Sequence, residues 1–119
     1  MKNKEYMSIK KMIEYIDKAL RYTKECDFEM FSNNEEKVDA TVFAISQIGE
    51  LVKNISKETM EKYPQIEWII IKNLRNKIVH DYEGIKLNFI WDIITEDIVK
   101  LKIDLEKILK ENIEKENND

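Results

Sequence analysis

"YPQIEWIIIKNLRNKIVHDYEGI", residues 63–85, decides how this chain folds. It opens beside the only proline, Pro64, and no glycine or further proline interrupts it before Gly84. Ile71, Leu74, Ile78 and Tyr82 recur at spacings of three and four, so on a helix of 3.6 residues per turn they form one stripe, which must face a core. Lys72, Asn76 and His80, spaced four apart, form a second and polar stripe with Arg75 beside it. The spacing predicts a helix from near Gln65 to about Tyr82, ended by Gly84. It also places the sole histidine of the chain among a cation and an amide, not among the isoleucines.

The same period runs outward in both directions. Ile9, Met12, Ile13, Ile16 and Leu20 predict a helix over about Glu5–Glu25, after which "CDFEMFSNN" reads as a break whose Ser32, Asn33 and Asn34 offer cap oxygens. Val38, Thr41, Val42, Ile45, Ile48, Val52 and Ile55 mark a second helix from about Glu35. Gly49 lies inside it, where glycine costs about 1 kcal/mol relative to alanine. A close helix–helix approach would offset that cost; simple tolerance is equally open. "SKETMEKYP" reads as a capped short helical turn. Beyond Gly84, the run Leu87–Ile113 holds Ile90, Trp91, Ile94, Ile98, Leu101, Leu105, Ile108 and Leu109, with a break expected near Thr95. The fold class is therefore all-α, an antiparallel four- to five-helix bundle. Residues 1–109 form the single domain, and 110–119 a charged and frayed tail.

Composition agrees. The 119 residues suit one domain, 37% are charged and 43% hydrophobic, and there are two glycines and one proline. Long helices with few turns are the economical outcome. Cys26 is the only cysteine, so no disulfide can form within the chain. No apolar run reaches the roughly 20 residues that span a bilayer, and the N-terminus carries no signal-peptide core; the expected location is the cytoplasm. The net charge is −4, and the tail's four acids and two lysines account for −2 of it. Lys72, Arg75 and Lys77 stand with no acid among them. A basic patch within an acidic chain suits a local anion site and not indiscriminate nucleic-acid binding.

The chemistry open to His80 can then be narrowed. One histidine and one distant cysteine do not make a zinc or iron site. No serine or cysteine stands near His80 with the spacing of a hydrolytic triad, and no glycine-rich loop could cradle a nucleotide. A guanidinium that grips phosphate and an imidazole that titrates near neutrality remain, and together they suit metal-independent cleavage of an RNA phosphodiester without a cofactor. That reaction wants both a base and an acid. A two-fold dimer would supply the second imidazole. It would also ease a geometric strain, because residues 75 and 80 are about 140° apart on an ideal helix.

Arg75-Asn76-Lys77-Ile78-Val79-His80-Asp81-Tyr82 fits the R-x4-H-x-Y signature of HepT-like toxins in the HEPN superfamily. The resemblance extends to "AISQIGELVKNIS" (44–56), to the order of Pro64, Trp68 and the motif, and to "FIWDII" (89–94). It implies a homodimeric helical bundle with a composite ribonuclease cleft, in which Arg75 and His80 are catalytic and Asn76 supports them. It also implies a minimal nucleotidyltransferase as antitoxin, which would transfer AMP to Tyr82 and fill the phosphate pocket with bulk and negative charge. Lys72 and Lys77 are candidates for contacting RNA phosphates. Glu50 could line the cleft but reads first as a solvated helix residue, Asp39 reads as a helix-dipole partner, and Trp68 and Trp91, which could stack bases, read first as core. A second reading stays open: a non-catalytic helical module that binds and regulates a nucleotidyltransferase. A plain dimerisation bundle would leave the polar stripe unexplained.

Overall fold

Ile9, Met12, Ile16 and Ala19 carry the first helix, α1 (Asn3–Tyr22), and all four are fully buried. It ends a turn earlier than its periodicity suggests. The Thr23 hydroxyl donates to the Ala19 carbonyl at 2.9 Å, and Glu25 takes a left-handed φ of 65°, which helical continuation does not allow. This computed structural model describes residues 1–81 and 86–118, and side chains outside 79–81 and 114–118. Among those residues the chain is helical and has no strand, and no helix is long and apolar enough to cross a membrane.

The stretch expected to be a plain break contains a short helix, α2 (Phe28–Ser32), started by the Asp27 carboxylate accepting from the Met30 N–H at 2.8 Å. Five residues are too few to show a period, but Phe31 is fully buried and packs on the Trp91 ring at 5.2 Å. The next helix, α3 (Glu35–Leu51), begins where the asparagines predict, with Asn34 Oδ1 accepting from Lys37 N at 3.0 Å. A 3-10 turn, Val52–Asn54, closes it. Ser56 then caps α4 (Lys57–Lys62) through the Thr59 N–H.

The motif helix is α5 (Trp68–Asp81). Ile78 is buried on it, Ile71 and Leu74 pack against the core in part, and Lys72 and Asn76 are exposed, as the two-stripe pattern requires. The fourth member of the apolar stripe, Tyr82, and the breaker Gly84 lie outside the described residues. The chain resumes in α6 (Leu87–Asp92) and passes through a π turn, Ile93–Asp97, into α7 (Ile98–Asn118). So Thr95 does not restart a helix. Its hydroxyl donates instead to the Trp91 carbonyl at 2.9 Å, within a widened turn that leaves both Ile93 and Ile94 buried.

Among the described residues, four long helices make the bundle. Helix α3 packs between α1 and α5, and α7 closes against α1. Helical order continues beyond residue 109: the Tyr63 hydroxyl donates to Glu111 at 2.9 Å, and the buried Asn112 donates to the Ile108 carbonyl at 2.7 Å. Trp68 is a core residue whose indole N–H donates to the Tyr63 carbonyl at 3.1 Å; Trp91 is half-buried against α2. A second tie joins α1 to α4. The buried Glu5 carboxylate accepts from Ser56 N at 2.6 Å and from the Thr59 hydroxyl at 2.9 Å. Burial pushes this carboxyl up, but the hydrogen bonds from Ser56, Thr59 and Lys2 outweigh it and hold the pKa at about 2.

Candidate functional site

The polar face of α5 is placed by a contact in which α3 has no side chain to offer. A Cβ added at Gly49 would lie 2.7 Å from Arg75 Cβ, 2.7 Å from the Ile71 carbonyl oxygen and 3.1 Å from Arg75 N. Atoms that close leave no room for any other residue, so Gly49 serves a close approach and is not merely tolerated. The approach is centred on Arg75.

The next residue along α3 is Glu50, and its carboxylate meets the same arginine. Arg75 Nε is 3.0 Å from Glu50 Oε2, while Lys53, one turn on, pairs with Glu50 Oε1. Arg75 Nη1 also donates to Asn76 Oδ1 at 3.2 Å. The side chains of Arg75 and Glu50 are 38% and 32% exposed, so the cluster is open to solvent and shielded by only one chain. The hydrogen bond from Lys53 leads in holding the Glu50 carboxyl below the usual carboxylate range; partial desolvation opposes it, and the charges of Lys53 and Arg75 add to it.

The predicted site residues therefore separate. Arg75 and Asn76 lie together, joined by Glu50, which the sequence left between a solvated helix residue and a lining of the cleft. Lys77 turns to the other side of α5, its Nζ 4.2 Å from the centre of the Phe89 ring. Lys72 is exposed on the face next to Arg75. The backbone of His80 lies in the last turn of α5, one and a half turns beyond Arg75; its side chain, and all of Tyr82, are outside the described residues. Asp39 is exposed in the second turn of α3. Among the described residues no group of three or more His, Cys, Asp and Glu side chains is arranged to hold a metal ion.

A cleft of about 330 Å³ flanks α5, and Glu50 is not among the residues that line it. It is lined mainly by apolar residues, among them Ile45, Ile48, Ile70, Leu74, Phe89 and Leu101, and does not include Arg75. The signal for Glu50 was faint in the sequence: a carboxylate beside a mid-helix glycine, 25 positions from the arginine it holds.

The HepT-like ribonuclease family model matches residues 12–108, which takes in α3, α5 and the whole Gly49–Glu50–Arg75 contact. A Methanocaldococcus jannaschii protein with a provisional RNase name is 35% identical over 104 residues, 87% of this chain and 90% of its own. A protein of Thermococcus cleftensis named a probable ribonuclease HepT is 33% identical over 109 residues, 91% of this chain and 96% of its own. A third relative, from Caldanaerobacter subterraneus and also provisionally named an RNase, is 37% identical over 89 residues, covering 75% of this chain and 76% of its own. No solved structure matches the chain significantly. An arginine on the polar face of α5, with an asparagine beside it and a histidine five positions on, thus occurs in a chain that aligns with these relatives over most of its length: it belongs to the HepT-like ribonuclease family.

Proposed function

We propose that this chain is a metal-independent endoribonuclease, the toxin of a toxin–antitoxin pair, whose site is completed by a second copy across a two-fold axis. The observation that carries the reading is the exposed Arg75–Asn76 pair on the helix that bears His80, within a chain of this family. Guanidinium binds a phosphodiester through paired hydrogen bonds and stabilises the added charge of a pentavalent phosphorus. One His80 removes the proton of the 2′-hydroxyl, which attacks the adjacent phosphorus. His80 of the partner subunit protonates the departing 5′-oxygen. The products are a 2′,3′-cyclic phosphate and a 5′-hydroxyl, and no oxidant or metal enters the balance.

The surface of α5 supports the dimer. Ile69 and Ile70 are 62% and 57% exposed, unusual for adjacent isoleucines in a single chain. Residue 69 is seven positions before Asn76 and eleven before His80, so on a regular helix all three fall within about 20° of one direction. Ile69, in line with Asn76 and His80, and Ile70, about 100° round the helix from it, suit a protein interface beside the motif. The proposed regulation follows from the motif: an antitoxin nucleotidyltransferase transfers AMP from ATP to the Tyr82 hydroxyl with release of pyrophosphate, putting an anion where the RNA phosphate would bind. Lys72 is the better placed of the two lysines for RNA, because Lys77 rests on Phe89.

Expression of the chain alone, with RNA integrity followed in EDTA, tests the reading. The parent is expected to cleave RNA and arrest growth, and Arg75→Ala or His80→Ala to abolish both. Equal behaviour of parent and variants would instead favour a binding module. Tyr82→Phe is expected to remove the adenylyl mass added by a co-expressed nucleotidyltransferase. Sedimentation is expected to give a dimer; a monomer at cleavage-competent concentration would remove the source of the second imidazole.

A further inference from the structure

We propose that Glu50 is a positioning residue for Arg75: its carboxylate holds the Nε edge of the guanidinium so that the Nη edge is presented to an RNA phosphate. The proposal rests on the endoribonuclease reading above, and its geometry stands on the contacts between α3 and α5.

Arginine has five N–H donors in a rigid plane. Glu50 Oε2 sits 3.0 Å from Nε as an ion-pair partner, and Asn76 Oδ1 accepts one donor on Nη1 at 3.2 Å. The second Nη1 donor and both Nη2 donors remain for a ligand, and a bidentate phosphate contact needs one from each nitrogen. Glu50 therefore does not compete for the edge that would grip the phosphate. It fixes the plane in which that edge lies.

The carboxylate is itself anchored. Each of its oxygens has its own cation, Lys53 on Oε1 and Arg75 on Oε2, and Lys53 stands on the same helix one turn away. Two cations and one carboxylate leave a net charge of +1 facing the anion. The root of the arginine is anchored too, because Gly49 brings Arg75 N and Cβ against α3. With both root and Nε held, a side chain of four rotatable bonds loses its freedom before RNA arrives and not on binding.

This role separates from a structural one. An ion pair with both side chains about a third exposed contributes little to folding. Glu50→Ala is expected to leave the melting temperature nearly unchanged while lowering single-turnover cleavage of a mixed-sequence RNA pool by about 10–100-fold, in kcat more than in KM. Glu50→Gln keeps the side-chain shape but removes the charge that pairs with Arg75, and is expected to recover only part of the rate. In an Arg75→Lys background, which keeps a cation but not the guanidinium plane, Glu50→Ala is expected to cost much less than in the parent. Independently of cleavage, the Arg75 Nε resonance, assigned with Arg75→Lys, should show a higher order parameter in the parent than in Glu50→Ala, because the ion pair restrains the side chain. Cleavage by Glu50→Ala at the parental rate, or an unchanged Nε order parameter in it, would overturn the proposal. A parent that cleaves no RNA would overturn the ribonuclease reading instead, while the Nε signal still decides whether Glu50 holds the arginine.

Discussion

Replacing Gly49 with alanine sets two effects of opposite sign against each other. In a helix interior alanine is favoured over glycine by about 1 kcal/mol, so propensity alone predicts a more stable protein. The packing predicts the reverse. The new methyl would lie 2.7 Å from Arg75 Cβ and from the Ile71 carbonyl oxygen, and 3.1 Å from Arg75 N. These are backbone atoms or atoms fixed to the backbone, so no rotamer change relieves them. Ordinary contact begins at roughly 3.5 Å, so α3 and α5 must part by nearly 1 Å. Overpacking of this kind costs about 1–3 kcal/mol, and rigid neighbours place it at the upper end. Net destabilisation of about 1–2 kcal/mol is expected, a fall in Tm of about 4–8 °C for a domain of this size. Since the displaced atoms belong to Arg75, a 1 Å error at the site is also expected to lower cleavage by up to about 100-fold. Calorimetry and single-turnover cleavage on the same preparation check both. A variant as stable as the parent, or more so, would show that propensity wins and that the two helices are not locked at this point.

Three further outcomes follow from contacts elsewhere. The Glu5 carboxyl falls from an ordinary 4.5 to about 2 on folding, so its contribution is complete above pH 4.5 and is lost as pH drops toward 2. At 1.36 kcal/mol per unit that is at most about 3 kcal/mol, and Glu5→Gln should flatten the pH dependence of urea unfolding across that window. Asn34→Ala removes the acceptor for Lys37 N and should cost about 1 kcal/mol in the same assay, whereas Asn34→Asp should retain most of it. Phe31→Ala should cost about 3–5 kcal/mol despite its place in a five-residue helix, because the ring is fully buried against Trp91; a loss below about 1 kcal/mol would mean that α2 is not docked.

What the sequence made legible, and what it did not, divides along one physical line. Periodicity reports which face of a helix is buried, so the stripes of α1, α3, α5 and α7 and the exposure of Lys72 and Asn76 could be read from spacing alone. Local hydrogen bonding reports where helices begin, so Asn34 and Ser56 were readable as caps. Neither reports how one helix is rotated and seated against another. The π turn at Ile93–Asp97 and the docking of α2 depend on such seating. So does the pairing of Glu50 with Arg75, which on α3 alone is an acid on a partly exposed face.

Gly49 was the one residue that could have connected these levels. A glycine in the middle of a long helix carries an energetic cost that local structure cannot explain, and the explanation had to lie on a neighbouring element. Once α5 is known to cross there, the next residue on α3 must fall beside whatever α5 carries at the crossing, and that is Arg75. The spacing of the two helices and the orientation of the guanidinium are then set by adjacent positions, 49 and 50. A substitution that loosens the first should therefore also weaken the second. If Gly49→Ala and Glu50→Ala each slow cleavage, the double variant should be slowed by less than the product of the two, since an arginine already displaced from α3 has lost the carboxylate as well. Fully multiplicative losses would mean that the two residues act on separate features of the site, and the link from helix spacing to arginine orientation would be wrong.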